Sequence, residues 1–332
     1  MIDRAMRVVV VLLAVVLAGS AGAEPRAIAK VAAVFSGPVN DAGWTASAYN
    51  GLVELKKKYN FELAYTENVK PADAEQVFRD YAKAGFDVVL GHGFEWAEAI
   101  EKVAKRYPKV SFVQTNGGAK DTANLYTVTF SAGEGGYFIG LAAAQASKSG
   151  KIAYVAGTSF PILGQQIKMT RQAAKDLGKT VEVLETYVGS WHGDVAKAKE
   201  LASAALSGGA DVLVLEADAA DPGTIEAARE AAKAGKYVRV FSWVRDKHAM
   251  APEIVVGGWE ERVPVLIDMC LGRIQKGEPG GHFALGLKEG AVALNEFYGL
   301  VPADVEKMVR DKLLGYVKDP KSLPTLEVRT DL

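Results

Sequence analysis

Short apolar runs rich in β-branched and aromatic residues alternate along this chain with stretches whose apolar positions recur every three or four residues. Those two periods predict strands and amphipathic helices in turn. Strands are predicted at 31–35, 61–67, 87–90, 110–114 and 125–130, with helices at 46–58, 72–83 and 97–106. The alternation restarts after Gly133: helices at 137–147, 164–177, 195–206 and 223–234 separate strands at 151–156, 180–186, 211–215 and 237–243. Strand-like 254–258, a helix at 261–274, strand-like 282–285 and 291–294, and a helix at 302–317 close the pattern. Strand and helix in turn imply an α/β fold of parallel sheets with right-handed crossovers. The restart divides it into two lobes.

The chain has 332 residues, 49% hydrophobic and 24% charged, enough to bury a full core in about two domains. Net charge is −1 with no run of Lys or Arg, which argues against nucleic acid or an anionic membrane as partner. Arg4 and Arg7 precede an apolar run at 8–18, and Ala21-Gly22-Ala23 supplies small residues before Glu24. That is the makeup of a signal peptide spanning 1–23, and the run falls short of the ~20 apolar residues that cross a bilayer. The single cysteine, Cys270, lies in a helical pattern far from the cleavage site. Neither a disulfide nor a lipid anchor is expected, so the predicted location is periplasmic, cleaved and unanchored.

The loops after strands hold the unusual residues. Ser36 to Thr45 joins the first strand to the first helix and carries Asn40, Asp41 and Trp44. In an open α/β sheet such loops border the ligand crevice. Trp44 there is either a flat face for a small molecule beside hydrogen-bonding groups or a staple for the helix, with Asp41 or Thr45 as N-cap. All five tryptophans, Trp44, Trp96, Trp191, Trp243 and Trp259, fall at predicted strand ends. Gly93-Phe94 and Thr115-Asn116 follow two further strands. The carboxylates Asp41, Glu95, Glu216, Asp218, Asp246 and Glu260 stand at similar places. They suit either glycosidic cleavage by a carboxylate pair or simple acceptance of hydrogen bonds from a ligand.

Other chemistry has no foothold. No G-x-S-x-G, P-loop or H-E-x-x-H occurs, and Gly133 to Gly136 lacks the G-x-G-x-x-G spacing, so it reads as a hinge or helix start. The four histidines, His92, His192, His248 and His282, are scattered, which argues against zinc. No catalytic residue, metal or cofactor is predicted.

Gly37-Pro38-Val39-Asn40-Asp41-Ala42-Gly43-Trp44, Gly91-His92-Gly93-Phe94, the segment 104–112, Glu134-Gly135-Gly136-Tyr137 and Tyr187-Val188-Gly189-Ser190-Trp191 together resemble the basic membrane protein (Bmp) family. The resemblance implies substrate-binding proteins of ABC transporters, with a two-lobed type I periplasmic binding protein fold closing on purine nucleosides or related compounds. It places the aromatic pair that sandwiches the purine at Trp44 and Trp191, where the family commonly has phenylalanine, and an acid at Asp41. Two departures stand out. The position of the acid that grips the ribose hydroxyls holds Val244, and a lysine of a later segment is replaced around Trp259-Glu260. A subset with a G-P-V-x-D-x-G-W loop and a segment like Gly286-Leu287-Lys288-Glu289-Gly290 is similar to this chain, and a free purine base suits it.

The expected ligand residues are Asn40, Asp41, Trp44, Gly93, Phe94, Thr115, Asn116, Trp191, Glu216, Asp218, Trp243 and Trp259. Lobe one is assigned 24–128 plus 246–283, and lobe two 129–245 plus 284–332. Crossings are expected near Thr129, Ser242 and Ala284. The expected function is capture of a purine base or related flat heteroaromatic solute by a monomer that delivers it to an ABC permease. The rivals are a nucleoside hydrolase and a ligand sensor for a membrane receptor.

Overall fold

The computed structural model describes residues 27–41, 43–191, 193–323 and 326; the leader and its cleavage point lie outside them, as do Ala42 and His192. In chain order the first elements are β1 (Lys30–Phe35), α1 (Trp44–Tyr59), β2 (Glu62–Thr66), α2 (Ala74–Lys83), β3 (Val88–His92), α3 (Ala97–Arg106), β4 (Ser111–Thr115) and β5 (Leu125–Phe130). Then follow α4 (Ala132–Ala146), β6 (Lys151–Ala156), α5 (Pro161–Asp176), β7 (Glu182–Tyr187), α6 (Val195–Ser207), β8 (Val212–Glu216), α7 (Asp221–Lys233) and β9 (Arg239–Ser242). The last are β10 (Val255–Glu261), α8 (Val263–Gln275), β11 (Gly281–Leu285), β12 (Val292–Leu294) and α9 (Ala303–Lys318).

Two 6-stranded sheets result, ordered β11-β5-β4-β3-β1-β2 and β12-β10-β9-β8-β6-β7. Every pairing is parallel except β10 with β12. Alternation along β1 shows how the sequence builds two faces. Val31, Ala33 and Phe35 join Ala48, Leu52 and Leu55 of α1 in one buried cluster. Ala32 and Val34 join Phe78 of α2 and Ile100 and Val103 of α3 in another. Strands covered on both faces read as unbroken apolar runs, which is what 31–35 is.

The chain crosses between lobes after β5, after β10 and after β11. The first and third crossings lie near the expected Thr129 and Ala284. The middle one does not: β10, expected in lobe one within 246–283, belongs to the second sheet. Its hydrogen-bonded neighbours are β9 and β12, while α8 packs on α1 of the first lobe. The turn residues Val244 to Asp246 resemble a crossing in sequence, but they join two neighbouring strands of one sheet. At the third crossing the buried Glu134, in the first turn of α4, accepts the Leu287 N–H at 2.8 Å. Burial pushes its carboxyl up to about 7.

Gly133 to Gly136 open α4, one of the two roles expected for them. The glycines also serve packing. A Cβ on Gly136 would stand 2.2 Å from the Gln166 carbonyl oxygen, and one on Gly135 would stand 2.7 Å from Trp243. The close approach of α4 to α5 therefore depends on missing side chains. No helix among the described residues is long and apolar enough to cross a membrane.

Candidate functional site

Both sheets reverse their strand order, the first between β1 and β3 and the second between β6 and β8. Such switch points open a crevice beyond the carboxyl ends of the strands. Here the two crevices face each other and enclose one cavity of about 290 Å³. The lobes touch across it: Asp218 Oδ2 accepts the Trp44 N–H at 3.3 Å, and Phe94 stacks on Phe160 with centroids 5.9 Å apart. Gly43 permits this approach, since a Cβ there would lie 2.0 Å from Asp218 Oδ1.

The lobe-one wall is held mostly by bonds within its own lobe. Asp41 caps α1 with both carboxylate oxygens, accepting the Gly43, Thr45 and Ala46 N–H groups at 2.9 Å each. Trp44 lies half-buried, stacked on His92 at 4.2 Å and 21°, with Phe130 edge-on at 6.4 Å. Burial pushes the His92 imidazole down to about 4, so it is neutral near pH 7. Its Nε2 lies 3.1 Å from the Trp44 carbonyl, which can only accept, so Nδ1 accepts the Thr115 hydroxyl at 2.7 Å. Gln114 Nε2 donates to the Gly93 carbonyl at 3.0 Å and holds the loop bearing Phe94.

The lobe-two wall carries more charge. Trp191 packs over Gly157, where a Cβ would stand 2.4 Å from its ring, and meets Phe160 edge-on at 5.4 Å. Trp243 donates Nε1–H to Glu261 at 3.0 Å. Lys247 and Asp221 form a buried ion pair at 2.6 Å, and Lys247 also donates to the Trp243 carbonyl at 2.9 Å. Burial raises Asp218 to about 6 and Glu261 to about 7. Glu216 is driven well above the carboxylate range, chiefly by burial and then by the Glu261 and Asp221 carboxylates.

Of the residues expected to bind the ligand, Asn40, Asp41, Trp44, Gly93, Phe94, Asn116, Trp191, Glu216, Asp218 and Trp243 line the cavity. Thr115 and Trp259 do not. Thr115 lies behind the wall, orienting His92. Trp259 is 1% exposed and packs on Phe138 and Trp243, so it is a core residue. Trp96 is likewise buried, edge-on to Phe78. Of the remaining strand-end acids, Glu95 lines the cavity, Asp246 bonds Tyr298 and the His248 N–H, and Glu260 pairs with Arg262. Phe160, Ile162, Gln166, Asp221, Lys247 and Glu261 are lining residues that the sequence reading missed. Parity along a strand could have found Glu261, since it shares a face of β10 with Trp259 and Glu260 does not. No group of His, Cys, Asp and Glu among the described residues is placed to hold a metal ion.

Known proteins share this architecture and part of the sequence. The transcriptional activator protein med of Bacillus subtilis is 29% identical over 318 residues, 94% of this chain and 96% of its own. A purine-binding protein of Brucella abortus is 28% identical over 303 residues, 89% of this chain and 82% of its own. An ABC transporter solute-binding protein from Aeropyrum pernix superposes with a TM-score of 0.74 at 22% identity, covering 89% of this chain and 90% of that one, which shows a shared fold. The model of the Bmp family, described as ABC transporter substrate-binding protein PnrA-like, matches residues 28–322, and the chain belongs to that family of two-lobed solute-binding proteins.

Proposed function

We propose that this protein captures a purine base, or a closely related flat heteroaromatic compound, and delivers it to an ABC permease. The observation that carries the reading is the meeting of Trp44 from lobe one and Trp191 from lobe two on a single cavity. An aromatic face from each side suits a flat ring, whose π surface stacks without regard to its edge substituents. About 290 Å³ stands at the small end of the ~300–1,000 Å³ of small-molecule pockets. Val244, a cavity residue where a sugar-gripping acid was sought, offers no acceptor for ribose hydroxyls. The purine-binding relative from Brucella abortus supports the same solute class.

The test is calorimetric titration with adenine, guanine, hypoxanthine and their nucleosides. Free bases are expected to bind at least as tightly as the nucleosides. Nucleosides binding clearly better would overturn the base preference, and no binding of either would overturn the purine reading. Free base released from inosine on incubation would instead favour a hydrolase using the cleft carboxylates. The med relative raises a sensor reading, which genes for a permease and an ATPase beside this one would oppose.

A further inference from the structure

Two buried side chains on the cavity wall keep an acceptor oxygen without a partner among the described residues: Glu216 Oε1 and Gln166 Oε1. Glu216 is 6% exposed and Gln166 1%, so both side chains are shielded from bulk solvent. The two are joined, since the Gln166 side chain hydrogen-bonds the Glu216 carboxylate. With its own carbonyl oxygen unpartnered, the Gln166 amide turns its NH₂ group toward Glu216, whose Oε1 also stays open.

Most of the strong donors nearby are already engaged. Lys247 gives N–H groups to Asp221 and to the Trp243 carbonyl, and the Trp243 indole N–H goes to Glu261. Around these two oxygens the wall therefore asks the ligand for donors, and a bound donor would hold Glu216 in the ionised form that its burial otherwise opposes. Native buried polar groups are almost always matched, so unmatched ones beside a ligand cavity mark what the ligand brings.

We propose that the preferred solute is a planar heterocycle bearing an amino group next to a ring N–H, and that Glu216 and Gln166 read this edge. One N–H goes to Glu216 Oε1 and the other to Gln166 Oε1. The inference rests on the reading of the cavity as a pocket for a flat ring, and it narrows that class by its hydrogen-bonding edge. Glu216 and Gln166 thus determine specificity, while the tryptophans supply stacking common to every flat ring. A site built to bond a substrate N–H strongly rejects the analogue that lacks it, because its buried acceptors are then left unpaired.

Two matched pairs test it by calorimetry on the full chain: guanine against hypoxanthine, and 2-aminobenzimidazole against benzimidazole. The amino member of each pair is expected to bind about tenfold to a hundredfold tighter. In Glu216→Leu, and separately in Gln166→Met, the gap should shrink to about threefold or less while both members still bind, since stacking is untouched. Equal affinities within both pairs in the unaltered protein would overturn the inference and leave the flat-ring pocket standing. Discrimination in the benzimidazole pair with no binding of either purine would keep the inference and overturn the purine reading. Absence of binding by all four would overturn both. The comparison within the unaltered protein decides the matter even where a substitution prevents folding.

Discussion

The two walls of the cleft solve different problems. On lobe one Asp41 and His92 are matched within their own lobe, Asp41 by three backbone N–H groups and His92 by Thr115 and the Trp44 carbonyl, while Gln114 keeps one open oxygen behind the wall. On lobe two a buried ion pair, raised carboxyls and two open acceptors crowd around Trp191 and Trp243. The first wall is a rigid platform held by local bonds. The second holds stored electrostatic demand, which a ligand with the right donors relieves. Shape is set on one side and chemical choice on the other.

The largest expected effect breaks the second wall. Lys247→Ala leaves Asp221 buried without its cation, which typically destabilises a fold by about 3–5 kcal/mol. Urea unfolding should show a loss of that size, whereas Lys247→Met with Asp221→Leu should restore most of it. If Lys247→Ala unfolded at the unaltered urea midpoint, the pair would be no part of the wall's stability.

Removing one aromatic from each wall sharpens the contrast. Base stacking is worth ~1–3 kcal/mol, so Trp44→Ala and Trp191→Ala should each weaken base binding about tenfold to a hundredfold. Trp44 also stacks on His92, so its replacement should lower the melting temperature more than that of Trp191. Unchanged affinity in both would remove the tryptophans from the ligand site.

The smallest effect lies in the pH dependence of the ligand-free protein. A carboxyl whose folded pKa is raised binds more protons when folded, so its contribution to stability falls as pH climbs from the unfolded to the folded value. Asp218 at about 6, with Glu261 and Glu134 at about 7, place that window between about 4 and about 7, all on lobe two. His92, lowered to about 4 on lobe one, acts in the opposite sense below its ordinary 6.5. Three carboxyls outweigh one imidazole, so the melting temperature should fall from about pH 5 to about pH 7.5, and Glu261→Gln should flatten the slope. Stability rising throughout that range would show that His92 governs instead.

The alternation of strand and helix was open to reading because buried parallel strands and amphipathic helices leave different periods in the sequence. The loop residues Asn40, Asp41, Phe94, Trp191 and Asp218 followed once the strand ends were placed. The middle crossing escaped because its position depends on which sheet recruits β10, a pairing with no local period. Trp259 escaped for a related reason: a tryptophan near a strand end reads alike whether it faces a ligand or Phe138. Gln166 and Lys247 were beyond reach, since a helix-borne amide and a loop lysine acquire meaning only through Glu216 and Asp221, remote partners in the chain.

Gly43 has a bearing on time as well as on space. Its bare Cα lets Asp218 settle onto the Trp44 N–H, so this contact between the lobes is carried by backbone and a single carboxylate. That contact is small and needs no solute. The expected consequence is that a captured molecule's dwell time is governed mostly by its own bonds to the walls, so a poorly matched visitor should escape quickly.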